Sequence, residues 1–581
     1  MPERFAAWCR WAARLLGARA PASTARAPPF ADVGVEPHEV RALGRLVAIL
    51  LALPSIAGIA AVLLLGGPPL AAPACLALPL LGYLAVRTYP DALAKRARLA
   101  AIAETPEVLN YLAMSLRVRP SLDRAVAFAA ESGEGPLAAR MRRVLWDVHL
   151  RTRTRIEDAF IALADACGSW NADLKRAGYV IAHAVREGSR DGMPRALDRA
   201  LAIVYDGARR RLKDYAASLR GPTTALFALG VLLPLIVGSM LPLLSLSGFS
   251  PTSLEPVEPP SPDPVPWLIL LDGIFPLITF LFAHHASSNR PGAATTSRGR
   301  TGAPRTYAIL APAPLAAVGA LAFPEVVPPM AALAAVVFLV AIASYTATRN
   351  AWRDRRHIEE LEQDFPDALF QLGSRLGEGR SFEDAVVAVS DGIRGTAAGD
   401  LMGRMARALR LGGGSVEGAL LGPGGLLREV ESRSVRATVK MVADIAAKDP
   451  EAAGRAALEM STHLRDLQGV ERDLRAELRP SVDAMRATAT VFAPIVLGVT
   501  GALYGLLASA FATVATLPMP PPVFHVALGV YLALATAGIL HFVTRVEHGG
   551  DPAAFGASLA RTLPVGFAVY GATLLAAGLA F

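Results

Sequence analysis

Apolar and polar positions along the chain fall into two regimes. Nine stretches, near 46–65, 69–87, 224–246, 266–283, 306–322, 329–346, 489–512, 523–543 and 563–581, are predominantly apolar. At roughly 17 to 25 residues each, they are long enough to cross a bilayer as helices. Two long regions, 88–222 and 347–488, instead mix charged residues with apolar ones at helical spacing. In the first, Val108, Leu109, Leu112 and Leu116 follow Pro106, with Thr105 placed as an N-cap; Asp364, Pro366, Leu369, Leu372 and Leu376 repeat the arrangement. Nothing in either region alternates as a strand does, so antiparallel helical bundles are expected.

A short pattern recurs after each leucine-spaced run. Ser121 or Ser381 is placed to cap a second helix through its side-chain oxygen, and Asp123, Glu383 and Asp384 suit the first-turn dipole. Leu122, Ala125, Val126 and Ala129 line the buried face of one copy, and Phe382, Ala385, Val386 and Val389 that of the other. Sliding the chain by 260 positions aligns more than this corner. Glu157 and Ala159 fall on Glu417 and Ala419, Arg195 and Ala196 on Arg455 and Ala456, and Pro234 and Gly238 on Pro494 and Gly498. The first four apolar stretches fall on the fifth to eighth. The expected fold is therefore an all-α polytopic membrane protein: a tandem parallel repeat of two transmembrane helices, a helical bundle and two more transmembrane helices, plus a ninth.

Charge orients this plan. Seven arginines from Arg4 to Arg45 precede the first stretch, and Arg87, Lys95, Arg96 and Arg98 follow the second, which assigns both regions to the cytoplasm. The segment SGFSPTSLEPVEPPSPDPVP has acids but no basic residue, FPEVVPP has only Glu325, and TLPMPPPV is uncharged; these belong outside. The domain reading is a basic segment 1–45, spans within 46–87, lobe 88–222, spans within 223–283, a Gly/Ser/Thr-rich linker 284–305, spans within 306–346, lobe 347–488, spans within 489–543, a cytoplasmic loop 544–562 and a last span 563–581 ending outside. Within ERFAAWCRWAARLLG, helical spacing gathers Phe5, Trp8, Ala12, Leu15 and Leu16 on one face, which fits either an interfacial amphipathic helix or a plain cytoplasmic tail. Its apolar run is too short and too broken by arginine for a signal peptide.

Composition agrees with a cell-membrane location: of 581 residues 53% are hydrophobic and only 19% charged, and the net charge is +8. In a membrane protein that excess marks the inner side, and no nucleic-acid partner is expected. Cys9, Cys75 and Cys167 have no disulfide or metal spacing. No GxxxxGK[ST], HExxH or GxSxG motif occurs, so no catalytic residue, cofactor or metal is assigned. The glycine runs LGGGSVEG and LGPGGLL read as turns, and His284-His285 as an ordinary interfacial pair. Asp272 is the one acid well inside an apolar stretch, and its counterpart is Leu532. It reads as a hydrated or paired group, with ion coupling the sharper alternative. Pro234 and Pro494, each four residues before a glycine, mark either packing kinks or hinges.

The leucine-spaced helix, the tight turn, the capped second helix, the later Glu-x-Ala and the membrane hairpin together resemble the domain of the type II secretion system F protein family. These are the membrane platform proteins of type II secretion, type IV pilus and archaellum machines, and two copies with many spans look most like the archaeal form. The first copy departs from the family's turn glycine, with Arg117-Val118-Arg119-Pro120 where the second has Gly377-Glu378-Gly379-Arg380. The resemblance implies a non-enzymatic protein whose partners are a cytoplasmic assembly ATPase, pilin or archaellin-like subunits and membrane lipids, with a homodimer also in keeping. It makes Asp123, Glu157, Glu383 and Glu417 the candidate ATPase contacts. The alternative function is a secondary transporter built from two parallel halves.

Overall fold

The computed structural model describes residues 2–16, 36–65, 71–118, 120–133, 135–150, 155–189, 192–246, 265–287, 329–411, 416–422, 424–511 and 519–580. All regular elements among them are helical. They are α1 (Pro2–Leu15), α2 (Pro37–Leu65), α3 (Ala71–Val118), α4 (Leu122–Ser132), α5 (Pro136–His149), α6 (Ile156–Gly168), α7 (Ala172–Glu187), α8 (Gly192–Ser218) and α9 (Arg220–Phe227). A π-helical turn, π1 (Ala228–Leu232), leads into α10 (Leu233–Leu246). Next come α11 (Val265–Leu268), π2 (Ile269–Ile274), α12 (Phe275–Ser287), α13 (Pro329–Gly377), α14 (Phe382–Gly392), α15 (Ala397–Leu411), π3 (Glu417–Leu421) and a short 3-10 turn (Leu426–Arg428). The chain closes with α16 (Arg433–Ala446), α17 (Pro450–Ala487), π4 (Thr488–Phe492), α18 (Ala493–Phe511), α19 (Pro521–His548) and α20 (Pro552–Ala580).

Six helical segments among the described residues are long and apolar enough to cross a bilayer: Gly192–Met240, Ile269–Ser287, Pro329–Gly377, Pro450–Ala510, Pro521–His548 and Pro552–Leu579. The protein is thus an all-α, multi-pass membrane protein. The first expected span falls within α2 and the described part of the second, 71–87, within α3, whereas the fifth, 306–322, lies outside the described residues, as does most of the expected linker 284–305. Three segments are far longer than a bilayer core of about 30 Å requires. At 1.5 Å per residue, the 61 residues of Pro450–Ala510 extend for about 90 Å.

Their excess length builds two helical bodies. The first packs the far half of α3 with α4 to α8 around Leu109, Leu112, Leu116, Phe160 and Leu197; the second packs the far half of α13 with α14 to α17 around Phe365, Leu369, Leu372, Met402 and Met460. Pro106 and Pro366 therefore do not open helices, contrary to the sequence reading. Both lie inside continuous ones, and the Thr105 hydroxyl bonds the Ala101 carbonyl one turn back, 2.8 Å away, instead of capping. Other boundaries also move. Helix α2 begins at Pro37, inside the expected basic segment, and the expected loop 544–562 shrinks to a few residues at Gly549–Asp551.

Backbones touch where the second body meets its stem. A Cβ on Gly454 of α17 would lie 2.5 Å from the Gly377 nitrogen and 2.8 Å from the Gly373 carbonyl oxygen of α13, and one on Gly373 would lie 2.9 Å from the Gly454 oxygen. No flexible side chain can yield there, so the crossing of α13 and α17 needs glycine on both sides. Gly454→Ala is expected to cost about 1–3 kcal/mol by overpacking. Gly403→Ala, into open space on α15, should be neutral or mildly stabilising. Thermal unfolding of the purified variants compares the two, and equal melting temperatures would refute the crossing argument.

Candidate functional site

The bodies hold their polar residues on and between the two stems. Glu104 of α3 accepts backbone N–H bonds from Gly135 (2.9 Å), Leu137 (2.8 Å) and Ala138 (3.3 Å), so it caps α5 from another helix. Burial raises its pKa, and the three backbone donors and Arg142 oppose that rise. Asp364 of α13 does the same for α15, accepting from the Ala397 nitrogen at 3.2 Å. A second pair of contacts fixes the helix entering each body's last layer. Asn171 accepts from the Leu174 nitrogen while donating to Thr105 Oγ1 at 2.8 Å, and Ser432 caps α16 while donating to Glu362 at 2.7 Å.

Between the bodies runs a polar seam. Arg117, from the turn that lacks glycine, pairs with Asp198 of α8 and with Glu459 of α17. Tyr111 donates to Glu107 at 2.8 Å, and Glu107 is raised in pKa by burial, with Arg433 of the second body pulling it back. Buried His463 has no hydrogen-bond partner among the described residues, and burial and then Arg117 favour its neutral form. Glu362, well beyond the apolar part of α13, is pushed from its ordinary 4.5 up to about 7, chiefly by burial, with Glu471, Glu107 and Glu359 adding and Ser432 subtracting. Ala437 and Val470 join the first body's core and Met114 the second's, so apolar contact continues beside the seam.

On the second body α13, α14 and α15 border an open cleft of about 930 Å³. Arg394 and Arg404 in it are paired with Asp391 (2.6 Å) and Glu429 (2.5 Å), whereas Arg353, Arg407 and Arg410 have no acidic partner among the described residues.

Within the spans, prolines set the backbone. Each of π1, π2 and π4 ends two residues before a proline, at Pro234, Pro276 and Pro494. A wider turn absorbs the clash of the proline ring with the carbonyl four residues back. For Pro234 that carbonyl belongs to Gly230, and it accepts the Tyr531 hydroxyl at 2.7 Å. Gly498 has a tight packing role: a Cβ there would lie 2.8 Å from Thr573 of α20, whereas Gly238 faces Thr500 and Phe524 at ordinary distance.

Asp123 is exposed, and Glu157 and Glu383 are half-exposed, each in the first turn of its helix; none of the three makes an ion pair or side-chain hydrogen bond among the described residues. The Glu417 side chain lies outside the described residues. Ser381 caps α14 by accepting from the Asp384 nitrogen at 3.1 Å; Ser121 holds the equivalent position with no side-chain bond. His284 stacks on His541, and Arg545 Nη1 lies 3.0 Å from His284 Nδ1, a cation where a metal would need the lone pair. No group of three metal-ligating side chains occurs among the described residues. Sequence reasoning missed Glu104, Glu362 and Tyr531, whose partners lie about 30 to 300 positions away.

The chain matches no protein-family model, no curated protein and no solved structure.

Glu362 sets a pH dependence with a definite sign. Its folded pKa lies above its unfolded one, so folding carries no penalty while both states are protonated and loses stability as pH rises from 4.5 through about 7. Glu362→Gln should melt with the native protein at pH 4.5 and exceed it at pH 8 by on the order of 2–3 kcal/mol. Parallel melting curves at both pH values would show that the carboxyl is not strained by burial.

Proposed function

We propose that the chain is a membrane platform for assembling a type IV pilus-like filament or a related secretion machine, of the type II secretion system F kind. It couples a cytoplasmic ATPase to pilin or archaellin-like subunits in the bilayer. Both bodies have membrane spans for stems, and that construction carries the proposal. Helices α3 and α13 run from an apolar stretch into a body, and α8–α10 and α17–α18 run from a body back to one, broken only by short turns. Force applied to a body therefore has a direct path to the spans. In this reading both bodies face the cytoplasm, where the basic flanks place them.

A duplicated architecture with nine spans belongs to the same proposal. Helices α4 (Leu122–Ser132) and α14 (Phe382–Gly392) differ by 260 positions at both ends, as do π1 and π4, and α10 and α18 begin 260 apart. Asp123, Glu157, Glu383 and Glu417 would meet the ATPase, and the cleft on the second body, with three arginines that have no acidic partner among the described residues, would add to that contact. Nucleotide hydrolysis is left to the ATPase, since the chain has no phosphate-binding loop.

Photocrosslinkers at Asp123, Glu157 and Glu383 in intact cells are expected to capture an assembly ATPase, and those near the spans a pilin-like subunit. Capture of neither would sink the proposal. The prolines supply a second test. Pro234→Ala with Pro494→Ala should leave expression and insertion intact and block filament assembly, because the wide turns that permit bending would close to ordinary helix. Normal filaments from the double variant would remove the hinge from the mechanism. A transporter of two parallel halves draws on Asp272, whose Oδ1 is buried with no hydrogen-bond partner among the described residues. Substrate uptake by vesicles containing only this chain, lost in Asp272→Asn, would favour it.

A further inference from the structure

Helix α1 has three faces with different surroundings. Ala6, Cys9 and Ala12 are buried with Val40 and Leu43 of α2, and the Phe5 ring lies 4.7 Å from the Tyr89 ring of α3. Arg10 and Arg14 are exposed on a second face. Trp8, Trp11 and Leu15, spaced i, i+3 and i+7, form a third stripe, 68%, 57% and 60% exposed. The face differs from the expected one: Phe5 and Ala12 turn toward the protein, while Trp8 and Leu15 turn away. The helix is 14 residues long, and two tryptophans are a large apolar load for an outward face.

Its position indicates what covers that stripe. Helix α1 packs beside Leu46, Val47 and Val86, where α2 and α3 enter their apolar stretches. The α2 residues on which α1 packs lead directly into Ile49, Leu50, Leu53 and Ile56, which are also exposed, so α1 sits beside the outward apolar surface of an expected bilayer stretch. Indole rings favour the headgroup level, and arginines beside them meet anionic headgroups. A basic amphipathic helix with this composition lies in the interface plane, its apolar side about 5–10 Å deep.

We propose that α1 is a lipid-binding interfacial helix. It is held by α2 and α3 on one side, seats Trp8, Trp11 and Leu15 at the headgroup–acyl boundary, and takes anionic headgroups on Arg10 and Arg14. Continuity with the outward face of α2 and the adjoining arginines favour lipid over a second copy or a protein partner.

The test uses the full chain reconstituted in vesicles of phosphatidylcholine and phosphatidylglycerol brominated at defined acyl depths. Subtracting the emission of W8F/W11F from that of the native chain isolates these two indoles from Trp146, Trp170, Trp267 and Trp352. The difference emission should be blue-shifted, protected from aqueous iodide, and quenched more by shallow bromines than by deep ones. Omitting phosphatidylglycerol, or R10E/R14E, should reduce that quenching. Iodide quenching without bromolipid quenching would place the stripe in water, and insensitivity to both would place it under protein; either overturns the proposal. Quenching independent of phosphatidylglycerol and of both arginines would overturn the assignment of anionic headgroups.

Discussion

A backbone carbonyl in hydrocarbon must have a partner, and the spans of this protein are arranged around that requirement. Pro234 cannot bond Gly230, so the helix widens into π1 and Tyr531 supplies its hydroxyl from α19. Similar constraints join other neighbours: Tyr570 donates to the His525 carbonyl at 2.8 Å, and Tyr504 to the Met519 carbonyl at 2.7 Å. Such bonds allow helices to be bent and still closely packed. At the level where spans become bodies, side-chain charge takes over. Arg355 of α13 pairs with Asp551 before α20, and Arg486 of α17 with Glu547 of α19 at 2.5 Å.

The two bodies close differently. In the second, Gly373, Gly377 and Gly454 bring backbones together. The residues 260 positions earlier in the first are Ala113, Arg117 and Pro194, and Arg117 reaches outward to Asp198 and Glu459. The residue that departs from the turn glycine thus becomes one of the electrostatic links between the bodies, beside Lys440–Glu131 and Arg209–Asp473. A fully exposed pair of this kind would contribute little, but Arg117 is largely covered, and losing both acids would strand its charge in the seam.

Periodicity made the helices legible, because each body buries one stripe and that stripe is written at i, i+3 and i+4. Leu109, Leu112, Leu116 and Val126 are all fully buried, as their spacing required. Pro106 misled because proline is favoured in a first turn, yet it is also accepted inside a helix that neighbours hold straight. Glu104 carries no signal in the sequence, since its donors Gly135, Leu137 and Ala138 become neighbours only after folding. The same holds for Glu362 and Tyr531. On α1 the sequence announced amphipathicity but not which apolar residues face protein, because small side chains such as Cys9 and Ala12 allow close approach while the indoles do not.

Two of the cysteines have a further consequence. Cys9 is sealed between α1 and α2, with its thiol pushed up to about 11 by burial and then by Glu39, and Cys167 is sealed in the first body's core. Alkylation requires thiolate and access, so both sulfurs stay silent in the closed fold. Each becomes a chemical clock for its own element: modification of Cys9 times the lifting of α1, and modification of Cys167 times the parting of α6 from its neighbours.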